Sequence, residues 1–191
     1  MKKSASVNKG DFQYMYSRKK RLLISSIILV MSVLIIYFTG IIIYDTNKSI
    51  YSVIAAVASL PAAKTITLLA VIIPYKSGTK QEYDNINEII SGKNGNLLCD
   101  LAISSVQKVT FVNYVSIIDC HVVMYSDYKK IDISYGEEFV KKILDENCNY
   151  SSIKIYTDMS QYMKRLQAIR GAEENKNMDE RIAKKLLSYS M

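Results

Sequence analysis

Tryptophan is absent from this 191-residue chain, histidine occurs once, proline twice and cysteine three times. A single histidine, His121, leaves no second imidazole for a catalytic pair. The chain also has no G-x-S-x-G elbow, no G-x-x-x-x-G-K-[ST] phosphate loop and no H-E-x-x-H zinc pair. Cys99, Cys120 and Cys148 are an odd number at spacings of 21 and 28 residues. No C-x2-C pair therefore supplies two ligands from one turn, and a Cys3His zinc site with His121 lacks its usual signature. Reduced, unligated thiols are expected, with no catalytic, cofactor or metal residues. Acidic residues are missing from two long stretches, Leu22–Tyr44 and Ile50–Tyr75, and that absence decides the fold class.

The first stretch is 23 apolar residues with neither charge nor proline. Roughly 20 residues at about 1.5 Å each cross a hydrocarbon core, so it is long enough to span. A cleaved signal peptide has a shorter apolar core ending in small residues, and Phe38-Thr39-Gly40-Ile41-Ile42 is no such cleavage site. The second stretch, 26 residues, is divided by Pro61 and Lys64 into an Ala-rich half and an Ile/Leu/Val half, with a re-entrant or interfacial segment as its alternative to a full span. Residues 1–21 carry seven Lys/Arg against one acid, whereas the loop Asp45–Ser49 carries one basic residue. Basic residues resist translocation, so both termini are expected in the cytoplasm around a short outside turn.

Charge split by region removes nucleic acid as a partner. The whole chain is +7, yet residues 76–191 hold 16 basic and 16 acidic residues. The excess sits in residues 1–21, beside a span, where it favours anionic lipid headgroups rather than a base-reading surface.

Within the apolar stretches, Ser25, Ser32 and Thr39 recur every seven residues, and Ala55, Ala58, Ser59, Ala62 and Ala63 gather on one face. Small residues let membrane helices approach closely, so these stripes are expected to face each other. On the same wheel Lys64 points about 180° from the Ala55/Ser59/Ala62 face, at about 100° per residue. An ammonium at bilayer depth needs a protein partner, a wet pathway or a route to the interface. Pro61 cannot donate to the carbonyl of Val57 and so frees one acceptor on the preceding turn. Pro61 and Lys64 are the candidate functional residues of the membrane part.

Beyond the short link Lys76–Thr79, Thr79 with Glu82 and Asp84 marks a helix start, and Gly92 with Lys93-Asn94-Gly95 marks its end. β-branched runs at Asn96–Ser104, Val109–Ile118 and Val122–Tyr125 follow, the last two joined by a tight turn at Asp119-Cys120-His121. Gly136–Glu146 has helical periodicity, Ser152–Tyr156 is a fourth strand, and a helix from Asp158 or Ser160 runs to Gly171. Asp100, Asp119 and Asp127 are isolated carboxylates, expected at solvated strand ends. The expected fold is an α+β membrane protein: a two-helix hairpin, then a small cytoplasmic domain of order α-β-β-β-α-β-α on a mixed sheet. Its divisions are a basic segment 1–21, a hairpin 22–75 (helices 22–44 and 50–75), a domain 79–171 and a charged tail or surface helix 172–191.

The order helix, three strands, helix, strand resembles the core order of restriction-endonuclease-like domains. That resemblance implies an acid on the second strand and an acid-x-Lys set on the third, around a metal that activates water. The third strand, Val122-Val123-Met124-Tyr125, has no acid-x-Lys, so the catalytic residues do not carry over. The expected function is a non-enzymatic, membrane-anchored interaction or accessory component of a bacterial plasma membrane, associating with itself or another membrane protein. A small transport or channel subunit using Pro61 and Lys64 is the alternative. A membrane-tethered enzyme is the remotest one.

Overall fold

The computed structural model describes residues 8–44, 50–105, 108–145, 149–169 and 175–190. These form six helices and one four-stranded mixed sheet, in two units: Met15–Pro74, and Met1–Tyr14 with Tyr75–Met191.

The first unit is a pair of helices, α1 (Tyr14–Tyr44) and α2 (Ile50–Ile72), both long and apolar enough to cross a membrane. α1 starts eight residues before the apolar run, so Arg18 to Arg21 are helical rather than part of a separate segment. The expected outside turn, Asp45–Ser49, lies outside the described residues. At one end Lys19 Nζ donates to Ile73 O at 2.7 Å, and at the other the Tyr44 and Tyr51 rings lie 5.8 Å apart, so the helices run antiparallel. Along α1 the less exposed positions include Leu22, Ser26, Leu29, Val33, Ile36 and Gly40; along α2 they include Ala55, Ala58, Ala62, Thr65, Leu69 and Ile72. Both sets alternate steps of three and four, the signature of a packed seam. Most other positions on the two helices are exposed, Ile42 at 82% and Leu60 at 67% among them.

In the second unit, α3 (Lys80–Ser91) is closed at its start by a capping box: Glu82 N donates to Thr79 Oγ1, and Thr79 N to Glu82 Oε2. β1 (Asn96–Ser104), β2 (Val109–Ile118) and β3 (His121–Tyr125) form an antiparallel meander. α4 (Ile133–Asp145) then carries the chain over to β4 (Ser152–Tyr156), which pairs parallel with β3. α5 (Met159–Ala168) and α6 (Lys176–Tyr189) complete the unit.

Strand residues divide between two cores. Val112, Val122 and Met124 pack with Val140 and Leu144 of α4 and Ile182 and Leu186 of α6. Cys99, Tyr114 and Val123 pack with Ile86 and Ile90 of α3 and Tyr162 and Leu166 of α5. The last stretch, expected as a tail or surface helix, thus buries one face of α6. The compact unit accordingly runs wider than residues 79–171. Its helix is fastened by Asp179, whose carboxylate accepts from Asp119 N at 3.0 Å and Cys120 N at 2.8 Å. Those residues, at φ 52° and 61°, are the two centres of the β2–β3 turn, a type I′ geometry that aims both N–H groups outward. Burial pushes the Asp179 carboxyl up, with the two backbone donors opposing the shift.

Candidate functional site

Period-two alternation breaks at one level of the sheet. Leu98 belongs to the first core and Cys99 to the second, yet Leu101 and Ile103 both return to the first. In β2, Val112 and Val115 share the first core although three residues apart. Asp100 sits at the slip in β1 with φ 54°, and Asn113 sits at the slip in β2. A local kink of this kind re-aims side chains that a regular pleat would bury. Left-handed backbone costs a non-glycine residue about 1–3 kcal/mol, so the surroundings must over-determine it.

Those surroundings are the chain that follows α2. Ser77 Oγ donates to Asp100 Oδ2 at 2.6 Å, and Asn113 Nδ2 donates to Lys76 O at 2.7 Å. Asn113 Oδ1 in turn accepts from Asp127 N at 2.8 Å, and Tyr114 Oη donates to Thr79 O at 3.1 Å. Tyr75 stacks on Phe111 at 4.7 Å and meets Tyr128 edge-on at 5.2 Å. Gly78 passes under the Tyr114 ring, where an added Cβ would lie 1.9 Å from its hydroxyl oxygen. Asp100, expected at a solvated strand end, is instead 3% exposed in mid-strand, because Ser77 supplies a donor that replaces water there.

The chain that precedes α1 is held at the same place. Cys99 N donates to Gly10 O at 2.8 Å, Phe12 stacks on Tyr83 at 4.6 Å, and Lys9 Nζ donates to Ser190 O at 2.8 Å. Residues 8–12 and 75–79, which flank the apolar helices in sequence, are therefore both fastened around Cys99–Asp100 of β1. Burial, with Asp100 and Asp11 nearby, pushes the Cys99 thiol up to about 12, which leaves it a poor nucleophile. Burial pushes the Tyr114 hydroxyl up as well, with Glu82 adding to the shift.

Other polar groups also tie elements together. Lys93 Nζ donates to the carbonyls of Leu166, Gln167 and Ile169, at 2.6, 2.8 and 2.6 Å, at the C-terminal end of α5. A cation there complements the helix dipole and satisfies carbonyls that have lost their helical partners. Desolvation lowers the Lys93 ammonium. His121 Nδ1 and Ser152 Oγ lie 2.7 Å apart across β3 and β4. Cys148 lies outside the described residues.

On the helix pair, Ala55 and Ala62 are buried at 4% and 5%. Ser25, Ser32, Thr39 and Ser59 are exposed, and the hydroxyls of Ser32, Thr39 and Ser59 bond back to carbonyls of their own helix. The α1 seam, expected along Ser25, Ser32 and Thr39, follows Ser26 and Gly40 instead, one residue further round. That stripe is the covered one: Ser26 and Gly40 are buried, and Leu22, Leu29, Val33 and Ile36 are half-buried between and beside them. Pro61 and Lys64 are both exposed, on the side away from Ala55 and Ala62. Comparison with protein-family models, with curated proteins and with solved structures gives no match.

Proposed function

We propose that the chain is an integral membrane component that works by contact rather than catalysis, its two apolar helices crossing the bilayer as a hairpin with both termini in the cytoplasm. One observation carries this reading. Among the described residues, every exposed large apolar residue except Ile133 and Tyr189 lies between Tyr16 and Ile73. Each such side chain stabilises burial by about 1.5–3 kcal/mol, a cost that water does not tolerate over two whole helices. The core helix of a soluble protein is mostly buried, whereas only 11% of either apolar window is. The basic cluster through Arg21 supports a cytoplasmic start and contact with anionic headgroups.

An accessory role is supported by how the buried polar groups are spent. Asp100, Asn113 and Asp179 each hold a backbone or linker segment in place. A unit so fastened to both flanks of a hairpin suits the relay or display of a contact surface. A transport subunit built on Pro61 and Lys64 ranks second, since one charge on two helices would need several copies to line a path.

The decisive experiment is membrane isolation followed by alkaline carbonate washing and mild detergent extraction. The protein is expected to stay with the carbonate-washed membranes and to elute in detergent as a defined complex. Release by carbonate would refute the spans. A strictly monomeric, partner-free particle would refute the interaction role.

A further inference from the structure

We propose that the Lys64 face of α2 docks on a membrane-spanning helix of a different protein, one that carries an aspartate or glutamate at the same depth. This deepens the membrane reading above and rests on it. The face is open and apolar: Val57 is 62% exposed and Leu60 67%, and Pro61, Lys64 and Thr67 share that side. Among the described residues nothing bonds the Lys64 ammonium, while the nearest hydroxyl on the face, that of Thr67, donates to Ala63 O at 2.9 Å. Because Pro61 has no N–H, the Val57 carbonyl, two turns before Lys64 on the same face, lacks its helical donor. The patch therefore presents a cation and a spare acceptor in apolar surroundings.

Charge complementarity selects the occupant. A second copy cannot neutralise Lys64, since neither α1 nor α2 contains an Asp or Glu. Packed face to face, two copies would set ammonium against ammonium in a medium that screens poorly. Lipid phosphate is also badly placed. Helical side chains lean toward the N-terminus, so the lysine arm points away from the nearer helix end, Ile72, about 12 Å along the axis. In the direction it does lean, the helix continues for about 21 Å to Ile50. A carboxylate on a neighbouring helix satisfies the cation at its own depth, as paired intramembrane charges do.

The test uses the full chain in the membranes of the cell that makes it, with a photo-reactive residue replacing Leu60 or Thr67 and Lys64 intact. Irradiation is expected to join it to one discrete protein whose contacted span holds an Asp or Glu. The yield should fall at least tenfold with Lys64→Leu and stay within twofold with Lys64→Arg. Changing the partner's carboxylate to its amide should reproduce the tenfold loss. Adducts only to phospholipid, adducts only to a second copy, a captured span without an acid, or a yield indifferent to Lys64→Leu would each overturn the proposal. Carbonate washing of the same membranes keeps the two levels apart: release there defeats the membrane reading itself, whereas retention with a failed crosslink defeats only the Lys64 partner.

Discussion

Single residues fasten this molecule where sequence patterns say least. Gly78 is the sharpest case, because its missing side chain is a requirement of the packed Tyr114 ring above it. A methyl there would sit 1.9 Å from the hydroxyl oxygen and 2.4 Å from Cζ, and Tyr114 is fully buried, so neither group can retreat. Overpacking of this kind costs about 1–3 kcal/mol. Gly92 offers the contrast: a Cβ on it meets only carbonyl oxygens at 3.6 and 3.7 Å, and its backbone is already helical at φ −67°. Gly78→Ala is therefore expected to lower the thermal midpoint of the detergent-solubilised protein by several degrees, at about 2–4 °C per kcal/mol for a chain of this size. Gly92→Ala should leave it unchanged or slightly higher. Equal midpoints in a circular dichroism melt would mean that the linker does not lie under Tyr114.

At the scale of elements, the strands were the most legible part. The boundaries Asn96–Ser104, Val109–Ile118 and Ser152–Tyr156 follow directly from β-branched runs bounded by turn residues, and the mixed sheet follows from the helix between the third and fourth strands. The slip at Asp100 and Asn113 was not legible, since the hydrogen-bond partners that make it tolerable, Ser77 Oγ and Lys76 O, come from a segment more than twenty residues away. A carboxylate inside Leu98-Cys99-Asp100-Leu101-Ala102 was the available signal. The hairpin seam was half legible: composition marks Ala55 and Ala62, but on α1 the seven-residue hydroxyl spacing points to Ser25, Ser32 and Thr39, one position from the buried Ser26 and Gly40. This assignment is open to measurement. With cysteines replacing Lys19 and Ile73, crosslinking by a short thiol reagent should be efficient and should fall severalfold when Gly40→Leu or Ala62→Leu is added. Adding Ser25→Leu should have no effect, and sensitivity to Ser25→Leu alone would restore the hydroxyl stripe as the seam.

For the whole molecule, the fastening of both chain flanks to one strand constrains how the membrane can be crossed. Gly10 pairs with Cys99, and Lys9 reaches Ser190, so the residues before α1 and the α+β unit occupy one side of any bilayer. The apolar helices between them must then make an even number of crossings. On the proposed hairpin α1 spans and α2 returns, a reading that the Gly10–Cys99 pairing favours over a re-entrant α2. Thiol labelling in intact cells checks this with cysteines introduced one at a time by Thr46→Cys, Asn8→Cys and Ser91→Cys in a chain that carries Cys148→Ser. The native background should be low at Cys99 and Cys120, both buried and both with thiols pushed upward. An impermeant maleimide added outside is expected to label position 46 and to reach positions 8 and 91 only after permeabilisation. Opposite accessibility at 8 and 91 would break the Gly10–Cys99 pairing, and protection of position 46 in intact cells would break the hairpin.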